Sequence, residues 1–539
     1  MKNERGFTLV ELLAVIAILA ILVIIALPNV INMYNKAQKE TFLTEVNLVY
    51  KESEKKYAIS NASYDYINLI SSKDNTKLDL SNDNLQYCVL FNNDGDIVNM
   101  KVSNGKWVAN LENGKKIEDL TIDDLIEGNL DEHNCSSNKV NSPEPIYCTF
   151  DGELKQGAEY VNGQYTYRYM QAGKYSSELA WQNITKDGWG VQLTDRTSTD
   201  HVTSKVCTYI NNKPVVSMSY MFGWSKTKAI DLASFNTSNV TDMAGMFESS
   251  QVTTLDLSNF DTSNVTKMSG MFYYSKATAL DVSNFDTSNV TDMNFMFKNS
   301  KAKYLDLSNF DTSNVTNMGN MFSESQATII DGLKNFNTSK VHNMESMFQN
   351  AQATTLDVSS FDTSKVTNML WMFADSKVTT LDLSNFDTSS VWNMRQMFAG
   401  IDVDKLDLSS FNTSKVQNME GMFAGVKATT LDLSSFDTSK VTDMSSMFYH
   451  IQTTTLDLGS FDTSNVSNMG WMFQNADNLE TIYVSNKFVT KNVTGDIPMF
   501  KNSPKLVGGA GTVYDSTKVD KTYARIDGGT SSPGYFTKK

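Results

Sequence analysis

The sequence predicts a multidomain α+β chain, built as a long N-terminal α-helix, a small α+β head, and a solenoid of about 11 coils of 25 residues. Three observations carry this. Phe7 to Leu27 is an apolar run with a single charge, Glu11. Residues 87–108 alternate short apolar segments with Asn/Asp/Gly turns. From Met221 onward the pair Met-Phe recurs with a period of 25 residues, slipping once near Gly332.

The composition is that of a folded protein, with 40% hydrophobic residues. A net charge of −15 without any Lys/Arg cluster argues against nucleic-acid binding, which needs a basic patch. Four cysteines in 539 residues are too few for a disulfide scaffold. The 27 methionines are unusually many, and the repeat accounts for most of them.

At the N-terminus a polar leader, residues 1–6 with Lys2 and Arg5, precedes the apolar run. As a helix, residues 7–27 would be about 31 Å long, enough to cross a bilayer core. The leader charges place the leader in the cytoplasm and the rest of the chain outside. The segment Gly6-Phe7-Thr8-Leu9-Val10-Glu11 resembles the class III signal of type IV prepilins. The resemblance implies cleavage after Gly6 by a prepilin peptidase and methylation of Phe7 as the new N-terminus. It also implies that Glu11 pairs with the α-amino group of a neighbouring subunit, because a lone carboxylate in an apolar helix costs several kcal/mol. Pro28 falls where that family breaks or kinks the helix, as a residue without an N–H must. Beyond it, Ile31, Tyr34, Gln38, Phe42, Val46 and Val49 recur at three- or four-residue steps, continuing an amphipathic helix to residue 58.

Residues 59–146 are expected to form the head and a polar linker, with strands around 87–91, 97–102 and 106–108. A Cys-flanked, β-rich module follows at 147–217, with a hairpin turning at Asn162-Gly163. Outside a cell Cys148 could pair with Cys207 and Cys88 with Cys135, although four cysteines allow three connectivities. No C-x-x-C occurs and the four histidines are scattered, so no metal site is expected from them.

The repeats occupy 218–484, with a pattern-breaking cap at 485–539. In one unit, Leu255 and Leu257 alternate with Asp256, as in a short strand pointing its leucines inward. Asp261-Thr262-Ser263-Asn264 is turn chemistry. Met268, Met271, Phe272 and Ser275 fall at the spacing of one face of a short helix. No coil can bury these residues alone, so the coils are expected to stack. The Val252-x-x-Leu255-x-Leu257 segment resembles a leucine-rich repeat. The longer pattern L-D-L-S-x-F-D-T-S-x-V-x-x-M-x-x-M-F resembles BspA-like bacterial surface proteins, a leucine-rich-repeat group associated with adhesion. A Cys common in that group after Met-Phe is here Ser275, Ser300 or Ala351.

Two columns of the repeat are candidate sites. Asp256, Asp281, Asp306, Asp357 and Asp382 belong to one outward column of carboxylates, readable as a weak cation site or as a solvated acidic face. Phe295, Trp371 and Trp471 occupy a slot that elsewhere holds Gly, Ser, Asn or Gln, and Trp392 replaces the usual Thr. These four are nominated as ligand-binding anchors, against the plainer reading that they fill gaps over neighbouring coils. No nucleophile elbow, phosphate loop or zinc helix is present, so no enzyme activity and no cofactor are expected.

Together these readings predict a type IV pilin-like cell-surface protein, a minor or tip subunit, displaying a solenoid for adhesion to host, matrix or other cells. It would sit in the membrane through residues 7–27, with its C-terminus outside, before joining other pilin subunits. The alternative is a pseudopilin-type component of a secretion or assembly machine. The extracellular ligand, protein or glycan, is not named by the sequence.

Overall fold

The computed structural model describes residues 33–57, 69–72, 78–80, 82, 84–91, 97–112, 116–127, 143–173 and 186–539. Gly6, Phe7, Glu11, Pro28, the apolar run 7–27 and Cys135 lie outside the described residues. Among the described residues no helix is long and apolar enough to cross a membrane. The chain divides into two compact units, Met1–Ser137 and Asn138–Lys539.

The first unit pairs a helix with a sheet. Helix α1 (33–57) buries Phe42, Val46 and Val49 completely, three residues at helical spacing on one face. Tyr34, expected on the same stripe, is exposed, so the buried stripe covers only the later turns. The sheet is antiparallel in the order β1 (Leu69–Ser71), β2 (Gln86–Phe91), β3 (Ile97–Ser103), β4 (Trp107–Glu112), β5 (Ile126–Glu127). Alternate residues Tyr87 and Val89, Met100 and Val102, and Trp107, Ala109 and Leu111 are buried in the same cluster as the helix stripe. The β3–β4 turn is set by Asn104, whose Oδ1 accepts the amides of Lys106 (3.1 Å) and Trp107 (2.9 Å). Cys88 is disulfide-bonded.

The second unit begins with a six-stranded sheet. Its strands are β6 (Tyr147–Cys148), β7 (Glu159–Asn162), β8 (Tyr165–Met170), β9 (Gly188–Leu193), β10 (Tyr209–Ile210) and β11 (Lys213–Ser217), ordered β6-β10-β11-β9-β8-β7. The expected hairpin β7–β8 forms, but it turns at Gly163-Gln164, with Gly163 left-handed (φ 58°) and Asn162 still paired with Tyr165, and a disulfide joins Cys148 to Cys207. Tyr165, Tyr167, Trp189 and Cys207 belong to one buried cluster that continues without a break through the repeats to Phe536. The Cys-flanked segment therefore has no separate core; it closes the first end of the repeat stack. At the other end β16 (Phe536–Lys538) runs parallel to β15 (Thr481–Val484), which in turn pairs with β14 (Thr455–Leu458).

Between these ends the coils stack in parallel, each residue meeting its counterpart about 25 positions later. One ladder of single bridges runs from Ser217 through Asp242, Lys267, Asp292 and Asn317 to Asn468. The leucine segment forms a continuous strand in only some coils, as at β12 (Tyr304–Asp306) and β13 (Ile329–Asp331). Inside, Phe222, Phe247, Phe272, Phe297, Phe322, Phe348, Phe373, Phe398, Phe423, Phe448, Phe473 and Phe500 form an unbroken stack, neighbouring rings 5.5–6.1 Å apart and within 14° of parallel. The methionines flanking them, such as Met268 and Met271, are fully buried filler.

A second interior column is polar. The hydroxyls of Thr237, Thr262, Thr287, Thr338, Thr363, Thr388, Thr413 and Thr438 each donate 2.9 Å to a backbone carbonyl of the next coil. These threonines are 0–1% exposed, so each hydroxyl needs that partner. The sequence signal read as turn chemistry is thus also an inter-coil tie. The slip in period is absorbed at Gly332, where φ is 88° and a Cβ would lie 2.4 Å from the backbone of Leu307 and Ser308.

Candidate functional site

The segment from Met268 to Ser275 is not the short helix its spacing predicts. The amides of Met271, Tyr273 and Ser275 close turns onto Met268, Gly270 and Phe272, at 3.2, 3.0 and 3.1 Å. The intervening amides of Phe272 and Tyr274 instead donate to Met296 and Lys298 of the next coil, both at 2.9 Å. Left-handed residues at Gly270 (φ 61°) and Tyr274 (φ 54°) interrupt the helical path and free these alternate amides for the neighbour. A run of such turns returns a residue to the same side every three or four positions, as a helix does, so Met268, Met271 and Phe272 still point inward.

Two left-handed columns consequently run along this turn face. One is the residue before each Met-Phe: Tyr220, Gly245, Gly270, Phe295, Asn320, Ser346, Trp371, Gln396, Gly421, Ser446 and Trp471, with φ between 50° and 61°. The other lies four residues later and includes Trp224, Ser249, Tyr274, Asn299 and Glu324. This explains the composition of the aromatic slot. Its usual occupants are glycine or small polar residues because the slot is left-handed, where a bulky residue is strained by about 1–2 kcal/mol.

The aspartate column does different work. Asp256, Asp281, Asp306, Asp357 and Asp382 each accept the amide two residues on through Oδ1, at 3.0–3.2 Å. The first four also take the serine hydroxyl there. At Asp382 the Ser384 amide and hydroxyl hold the carboxyl below the usual carboxylate range. These oxygens are engaged in local turns, and among the described residues no group of three or more His, Cys, Asp or Glu could hold a metal.

A family described as Mycoplasma protein of unknown function, DUF285, matches three times in succession, over residues 198–307, 302–410 and 401–511, together more than half the chain. The chain belongs to the DUF285 family. The prokaryotic N-terminal methylation motif matches residues 1–27. No curated protein and no solved structure matches the chain. The methylation motif marks this DUF285 chain as type IV pilin-like and implies processing by prepilin peptidase, pilin assembly and a cell-surface or pilus location.

Of the four nominated aromatics, the DUF285 repeats hold three in one column and place Trp392 in another. Phe295 and Trp371 are half-buried and already engaged. Phe295 lies 5.6 Å from the Tyr273 ring with the Lys298 ammonium 5.2 Å over it. Trp371 carries the Arg395 guanidinium 5.5 Å over its ring, and its indole N–H donates to Gln396 Oε1. Trp392 and Trp471 are 47% and 46% exposed. A further, partly exposed aromatic group lies on the first coils and is not among the nominated residues. It comprises Tyr220 and Trp224, stacked at 5.2 Å, and Tyr273 and Tyr274, 4.7 Å apart. The available signal was Tyr-Met-Phe-x-Trp at 220–224, a departure from the repeat consensus at its first coil.

Proposed function

We propose that the chain is a type IV pilin-like adhesin, a minor or tip subunit whose DUF285 repeats form a leucine-rich-repeat-type solenoid of the BspA-like kind and serve as its binding surface. The role is binding rather than catalysis. The observation that carries this reading is the turn face, where bulky aromatics sit at left-handed positions that glycine would fill without strain. Strain retained at solvent-facing residues is accounted for by what those residues contact outside the molecule. The size of the chain beyond its N-terminal helix supports a minor or tip subunit, since so large a head fits poorly in every subunit of a thin filament.

The test is cell-based. Sheared filaments from cells producing the chain should contain it, and deletion of residues 218–484 should abolish attachment of those cells while filaments persist. Retention of the intact chain in the envelope after shearing, or attachment unchanged by the deletion, would overturn the proposal.

A further inference from the structure

The first coils of the repeat carry two aromatic pairs separated by a coil with small turn residues, Gly245 and Ser249. On one side Tyr220 and Trp224 stack within 7° of parallel; on the other stand Tyr273 and Tyr274. Trp224 and Tyr274 are 44% and 39% exposed. Tyr220, Trp224 and Tyr274 are all left-handed, with φ of 51°, 57° and 54°. The Glu248 side chain reaches Gly270 beside Tyr273, its Oε2 3.8 Å from where a Cβ on Gly270 would stand, and its charge acts on the phenols of both Tyr220 and Tyr273. Among the described residues nothing donates to this carboxylate or pairs with it. Burial pushes it up to about 7.

We propose that Tyr220, Trp224, Tyr273, Tyr274 and Glu248 form a receptor for a quaternary ammonium headgroup. Electron-rich ring faces and a desolvated carboxylate together favour an organic cation over a neutral sugar. The face already takes cations: the Arg196 guanidinium lies 5.6 Å over Trp224 and the Lys298 ammonium 5.2 Å over Phe295. Arg196 Nη2 donates 2.7 Å to the Tyr220 carbonyl, holding that guanidinium on the Trp224 ring, and Lys298 Nζ donates 2.9 Å to Asn320 Oδ1. Neither neutralises Glu248, which leaves its charge for an external partner. The phenols of Tyr220 and Tyr273 feel that charge and are themselves raised, chiefly by burial, so they stay neutral while Glu248 titrates. The other nearby acids have partners. Asp242 lies 3.7 Å from Lys267 Nζ, and Glu324 accepts 2.6 Å from Asn299.

This site deepens the adhesin reading and rests on it only for its biological setting. Binding by the purified chain needs no filament, so either can fail alone. The experiment is calorimetric titration of the full chain in detergent with tetramethylammonium at constant ionic strength. Saturable binding is expected well above pH 7, weakening about tenfold well below it as Glu248 protonates. Glu248→Gln should bind about tenfold more weakly at the higher pH and lose the pH dependence, with an unchanged or higher Tm showing that it folds. Trp224→Ser should weaken binding and Trp471→Ser should not. Choline should bind in the same pattern, and a trimethyllysine peptide binding where choline does not would overturn the headgroup as the ligand. An uncharged carbon isostere of choline binding as tightly as choline, equal binding by Glu248→Gln, or no saturable binding would each overturn it.

Discussion

The interior of the repeat stack and its turn face share one period but obey different rules. Inside, each coil presents the same Phe, the same Met pair and, with few exceptions, the same Thr. A stacked ring works only if the next coil supplies its counterpart, and each buried Thr hydroxyl needs the next coil's backbone carbonyl held in register. On the turn face the backbone repeats just as strictly, with left-handed residues at both columns, yet the side chains range from Gly421 to Trp371. The contrast teaches that here the fold is held by columns that cannot vary alone, while the face carries substitutions that answer to something other than stacking.

This comparison breaks most readily from within. Phe348 is fully buried, with rings of the preceding and following coils at 5.5 and 5.7 Å. Phe348→Ala should destabilise the second unit by about 3–5 kcal/mol, read by chemical denaturation. A loss under about 1 kcal/mol would mean the ring stack is not what holds the coils together. A smaller effect is expected at Thr363, whose buried hydroxyl donates 2.9 Å to the Asp387 carbonyl. Thr363→Val keeps the shape and removes the tie, with an expected loss of about 1–2 kcal/mol. No change in the denaturation midpoint would show the column to be passive.

The smallest effect, and the one that sharpens the contrast, is on the face. Trp471 is left-handed (φ 58°) and 46% exposed. Trp471→Gly relieves backbone strain while losing only partial ring contact, so the stability of the stack should hold or rise by up to about 1 kcal/mol. A clear loss of stability would make the exposed tryptophan a structural residue, and the face would then follow the same rule as the interior.

Much of this was legible in residue types and spacing. The period, the inward Leu255, Leu257, Phe272 and Met pair, and the existence of the β7–β8 hairpin, though not the exact residues of its turn, follow from patterns that one coil or one turn displays by itself. The helix expected at Met268–Ser275 did not form, because three- and four-residue spacing is common to helices and to successive turns. What separates them is where the alternate amides donate, and that depends on the neighbouring coil. The nominated Phe295 and Trp371 were found by departure from consensus, but their engagement with Lys298 and Arg395 needed the stacked structure to be seen.

By itself, then, the sequence determined that the chain is a repeat array behind a methylation-type N-terminus, and which residues form its core, because those properties are periodic and local. Only the tertiary structure decided that the aromatic slot is left-handed, that the Asp column closes turns, that the threonines tie coils together, and that the Glu248 charge acts on a tyrosine of each aromatic pair. Each of these depends on contacts between residues about 25 positions apart or on a backbone angle set by such contacts, and residue order along one coil does not specify either.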